Sequence, residues 1–146
     1  MKVEVNIDKN CEETRVVIHT KSVEDKIIKL IQNLKNKEFE QLNGFSDDEM
    51  YLLSQDDIET IYTEDGKVFA RENGNTYLIK KRLYELEEIL SPDKFVRISN
   101  SEIVNMKKVK KINLKITGTI ILYFTNDEKT YVSRRYLKKI KEYLGI

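Results

Sequence analysis

Histidine and cysteine are nearly absent from this 146-residue chain, while side chains able to hold a polyanion crowd into its last third. One histidine, His19, and one cysteine, Cys11, exclude a Cys/His metal cluster. No G-x-S-x-G, glycine-rich phosphate loop or H-E-x-x-H occurs. The carboxylate pairs Asp47-Asp48 and Asp56-Asp57 have the ligand type for Mg²⁺, but they sit in a strongly acidic segment where they serve solubility. The expectation is therefore no enzyme, no cofactor and no metal. Basic side chains instead gather as Lys107, Lys108, Lys110 and Lys111, and again as Arg134 and Arg135. Taken alone, such a run is usually a solvated face. Its placement makes the difference.

Residues 1–44 carry 8 basic and 8 acidic side chains, residues 45–92 carry 5 and 12, and residues 93–146 carry 13 and 5, against a chain total of +1. A near-neutral sum does not argue against a polyanion, because association follows the local field of one face. The C-terminal third is the expected phosphate-facing part.

The elements that must position these groups follow from periodicity. Val3, Val5 and Ile7 alternate with polar residues and 15–20 is a second β-like run, so two N-terminal strands are expected. Ser22 is placed to cap a helix over 22–34, whose apolar stripe is Val23, Ile27, Leu30, Ile31 and Leu34. Residues 35–49 are polar and turn-prone, which sets a domain boundary near Gly44. Beyond it, 50–53, 58–62, 67–71 and 76–79 read as short strands, followed by a helix over 81–90 that Ser91-Pro92 stops. Strands over 95–98, 109–114, 119–124 and 130–132 follow, and a basic helix over 134–144 closes the chain on Leu137, Ile140 and Leu144. The fold class is mostly β with short helices, α+β. Cys11 has no disulfide partner, no apolar run approaches the ~18 residues of a membrane span, and the N-terminus lacks the h-region of a signal peptide, so a cytoplasmic protein not embedded in a membrane is expected.

Four segments together carry a family resemblance: D-D-I-E-T-I (56–61), L-Y-E-L-E-E-I-L (83–90), F-V-R-I-S-N-S-E-I-V-N (95–105) and V-S-R-R-Y-L-K-K-I-K-E-Y-L-G (132–145). Residues of about 47–145 resemble a LytTR-type DNA-binding domain. The resemblance implies an antiparallel β-sheet domain over 45–146 whose loops enter successive major grooves of double-stranded DNA, and a transcriptional regulator as the function. It implies three contact regions: the loop at Gly66-Lys67, the loop at Ser99, Asn100 and Ser101, and the segment Ser133, Arg134 and Arg135. Asn100 and Arg135 match base-contacting positions, with an amide suited to adenine and a guanidinium fork suited to guanine. Arg97, Ser101, Lys107, Lys108 and Ser133 suit phosphates. Many members have a histidine where this chain has Ser99, and Lys67 likewise has no histidine beside it.

Residues 1–44 are too few for the receiver domain that many members carry, which sets phosphorylation aside; the resemblance implies instead the alternative found in some short members, a regulatory membrane-protein partner. The N-terminal strand–helix unit is then a dimerisation or sensing element of a homodimer. The competing reading is a protein-interaction module that keeps the core and drops specific DNA binding. Asn105, after the apolar pair I-V, reads as a structural side chain, and Tyr131 and Tyr136 as packing residues.

Overall fold

The computed structural model describes residues 1–35 and 41–146. The two N-terminal strands do not form: 1–24 has no strand and is exposed apart from a half-buried Ile18. Val3, Val5 and Ile7 are 76%, 83% and 88% exposed. Alternation specifies a strand only where a neighbouring strand and a core receive its two sides, and no described residue does so here.

Helix α1, Asp25–Lys35, begins three residues after Ser22. Ser22 Oγ turns to the Glu24 carboxylate at 3.3 Å, and the Glu24 carbonyl takes the Ile27 and Ile28 amides instead. The stripe Ile27, Leu30, Ile31 and Leu34 is half-buried, and Asn33 Nδ2 donates to Asp93 Oδ2 at 3.3 Å.

Strands β1 (Gln41–Ser46), β2 (Glu49–Ser54), β3 (Thr60–Glu64), β4 (Lys67–Glu72) and β5 (Asn75–Ile79) follow. The β1–β2, β3–β4 and β4–β5 connections are two-residue turns with positive φ at both centres: Asp47 and Asp48, Asp65 and Gly66, Asn73 and Gly74. That geometry matches the strand twist and favours Asn, Asp and Gly, as found. Strand β1 was hidden because Q-L-N-G-F-S looks like a turn. Gly44 lies inside it for packing: a Cβ there would sit 2.7 Å from Leu53 Cδ1 and 2.8 Å from Tyr77 Cβ. The boundary expected near Gly44 thus falls within a strand.

Helix α2 (Leu83–Ile89) precedes β6 (Phe95–Ser99) and β7 (Glu102–Asn105), which close a seven-stranded antiparallel sheet in the order β2-β1-β5-β4-β3-β7-β6. Strands β8 (Val109–Leu114), β9 (Ile120–Phe124) and β10 (Lys129–Tyr131) form a second sheet in the order β10-β9-β8. A 3₁₀ turn, Arg134–Tyr136, then leads into α3, Leu137–Leu144. Two cores result. Leu83, Leu86 and Leu90 pack with Ile58 and Ile61 in the first, and Ile140 packs with Leu122 and Phe124 in the second. Hairpin β6–β7 is the wall between them: Phe95 and Ile103 belong to the first core, Val96, Ile98 and Val104 to the second.

At the base of that wall Asn105 is fully buried. Its Nδ2 donates to the Ile58 carbonyl at 2.8 Å, and its Oδ1 accepts from the Lys107 amide at 3.0 Å. Left unpaired, such a group would cost about 1–3 kcal/mol, so the structural reading of Asn105 fits its surroundings.

Candidate nucleic-acid interface

Antiparallel pairing decides which turns share an end of the sheet. Tyr62 pairs with Glu102 and Thr63 with Val68, so the Asp65-Gly66 turn and the Ser99–Ser101 turn lie at the same end. The Thr63 amide, donating to the Ser101 carbonyl at 2.9 Å, joins the two. Strand β5 ends there as well, since Ile79 pairs with Val68. The third segment arrives from the other sheet, and the Ser133 amide donates to the Ile98 carbonyl at 2.9 Å. All three expected contact regions therefore meet.

Beside the first two runs an open groove of about 710 Å³, lined among others by Lys67, Arg97 and Asn100. It is also lined by Lys80, Lys81 and Arg82, which sequence reasoning missed. The signal was present as three consecutive basic residues, but it was averaged into an acidic segment. All three are exposed, with Lys80 Nζ 4.1 Å from the centre of the Phe45 ring.

Arg97 is engaged within the fold. Its Nε donates to the Ser99 carbonyl at 2.8 Å and its Nη2 to the Asn100 carbonyl at 2.6 Å, while Glu87 Oε1 lies 3.3 Å from Nη1. Ser99 Oγ accepts the Ser101 amide at 3.2 Å. The S-N-S turn is thus braced from within, with the Asn100 side chain exposed at its tip and the Tyr136 hydroxyl donating to Asn100 Oδ1 at 3.1 Å. Arg134 and Arg135 are exposed and carry no ion pair among the described residues.

The lysine run falls elsewhere. Lys107 and Lys108 follow Asn105, which pairs with Phe95, so they stand at the opposite end of hairpin β6–β7 from the S-N-S turn. Lys110 is engaged by Asp127, whose carboxyl it holds below the usual carboxylate range by hydrogen bonding and charge. Lys111 Nζ sits 4.4 Å from the centre of the Tyr123 ring.

The two-sheet antiparallel scaffold has a counterpart among known proteins. The family model described as LytTr DNA-binding domain matches residues 48–145. The chain belongs to the LytTr DNA-binding domain family. This is a family of DNA-binding domains, not of enzymes. A solved structure from Bacillus cereus described as a LytTr DNA-binding domain is 25% identical and superposes with a TM-score of 0.70, covering 73% of this chain and 98% of that one. Two uncharacterized HTH-type transcriptional regulators of Staphylococcus aureus, strains NCTC 8325 / PS 47 and COL, are 36% identical over 147 residues, which is 100% of this chain and 99% of theirs. That similarity runs through residues 1–44 as well as through the LytTr domain. The relatives' helix-turn-helix label has no counterpart here: among the described residues five strands separate α1 from α2, and five more separate α2 from α3. No helix among the described residues is long and apolar enough to cross a membrane.

Proposed function

We propose that this chain is a cytoplasmic transcriptional regulator that recognises a specific duplex by placing the S-N-S turn and the S-R-R segment in the major groove. The observation that carries this reading is the convergence of three sequence-distant segments at one end of the fold, where Asn100 and Arg135 are exposed. In this reading Asn100 and Arg135 contact bases, each good pair supplying about 1–3 kcal/mol of discrimination. Lys67, Ser99, Ser101, Ser133 and Arg134 hold phosphates, and Lys80, Lys81 and Arg82 extend that set along the groove. Arg97 moves from phosphate contact to bracing the turn, and Lys107 and Lys108 leave the contact set.

The same proposal makes the protein a homodimer on DNA, with residues 1–44 as the dimerisation or sensing element, because one such end covers little DNA and paired half-sites raise affinity through effective concentration. The exposed Val3, Val5 and Ile7 support it, as apolar groups left without a partner among the described residues. Sedimentation should show two chains per palindromic duplex, and one chain on DNA at micromolar concentration would remove the dimer. The test of the main reading is fluorescence anisotropy on a labelled duplex selected from a randomised pool, with unlabelled random duplex as competitor at two salt concentrations. Binding that survives competition is expected; binding abolished by random duplex would leave only a basic face.

A further inference from the structure

We infer that the Tyr136 hydroxyl is a specificity-determining positioning group, which fixes the Asn100 carboxamide so that the S-N-S turn accepts adenine and refuses guanine at the base it meets. The inference rests on the DNA-reading proposal and deepens it. Asn100 is exposed at the tip of the turn, and half a turn of its amide exchanges one acceptor for two donors with almost no change of shape. A bare asparagine on a loop therefore presents either face. Here the Tyr136 hydroxyl donates to Asn100 Oδ1 at 3.1 Å, across 36 residues of sequence.

The donor is itself well anchored. The Tyr136 amide donates to the Ser133 carbonyl at 3.0 Å, and its half-buried ring packs on the second core ahead of α3. The backbone of Asn100 is held independently through its carbonyl by Arg97 Nη2 at 2.6 Å. Main chain and amide are thus fixed from two directions.

What this does to recognition follows from base edges. Adenine offers an acceptor at N7 and a donor at N6, whereas guanine offers acceptors at both N7 and O6. An amide whose oxygen is fixed presents its second lone pair beside its N–H donors, which pairs with adenine and sets oxygen against oxygen with guanine. Released, the same amide can rotate its NH₂ to bridge N7 and O6. The bond at Oδ1 also polarises the amide and strengthens its N–H donors.

Tyr136→Phe removes the hydroxyl and keeps the packed ring, so it separates this role from folding. Wild type and Y136F would be titrated against the selected duplex and its single-base-pair variants. The expected result is a roughly three- to tenfold loss of adenine-over-guanine preference at one position, the scale of one neutral hydrogen bond, with affinity for random duplex, salt slope and melting midpoint unchanged. Unchanged preference in Y136F, or an equal loss on every duplex, would overturn the inference and leave the DNA reading standing. Failure of the wild type to prefer any selected duplex would bring down the parent reading and this inference with it. A second measurement needs no DNA: the Asn100 side-chain amide resonances should shift in Y136F while the loop backbone resonances stay, and unshifted amide resonances would overturn the brace itself.

Discussion

The S-N-S turn and the Asp65-Gly66 turn lie side by side at one end of the sheet, and they are built in opposite ways. The first is held by Arg97 through two carbonyls, by Ser99 through an amide and by Tyr136 through a side chain. The second is a two-residue hairpin turn whose Gly66 has nothing within 4 Å of where a Cβ would be, and which presents Lys67 as an exposed cation. Reading a base demands a fixed donor and acceptor pattern, because a misdirected amide forfeits its hydrogen bonds. Holding a phosphate demands only a charge within reach. The difference in bracing thus separates a turn suited to specificity from one suited to affinity.

Four substitutions would break or sharpen that contrast. Arg97→Ala should do the most, lowering affinity for the selected duplex by about 1.5–3 kcal/mol, the range for hydrogen bonds to a charged group, with random-duplex affinity little changed in the same competition titration. Equal losses on both duplexes would make Arg97 a phosphate contact after all. Asn100→Ala should abolish discrimination at one base pair, about 1–3 kcal/mol, read by titrating the single-base-pair variants. Lys67→Ala should weaken every duplex alike and flatten the slope of log affinity against log salt by about 0.9, one phosphate's share. A sequence-dependent loss at Lys67 would erase the contrast. Gly66→Ala should lower stability by about 1 kcal/mol, because its φ of +76° is strained for alanine; thermal denaturation measures it.

Much of this architecture was legible in the residues, and the misses have physical causes. The strands at β4, β5, β8 and β9 and the helix at α3 follow local periodicity, which needs no partner to be read. Strand β7 was missed because Ile103 and Val104 face different cores, so both are apolar and alternation vanishes. Strand β1 was missed because Gly44 serves a close approach between Leu53 and Tyr77, contacts that only the folded sheet creates. The reverse error, strands over 3–7 and 15–20, took a pattern for a partner. At the candidate interface, Asn100 and Arg135 were recognisable by type and family register as candidates, and both are exposed. The role of Arg97 was not, since its charge suggests phosphate while its acceptors are carbonyls two and three residues onward, brought near by the turn.

The wall formed by hairpin β6–β7 has a consequence for how the molecule opens. Because Ile103 serves one core and Val104 the other, neither core can loosen its packing without exposing a side chain of the strand they share. Hydrogen exchange at the Ile103 and Val104 amides should then report a single opening energy equal to that of global unfolding, with no partly opened form below it. The turn carried by that hairpin is consequently among the last parts of the chain to lose its shape on heating, so the capacity to discriminate between duplexes should persist up to the melting transition and vanish with it.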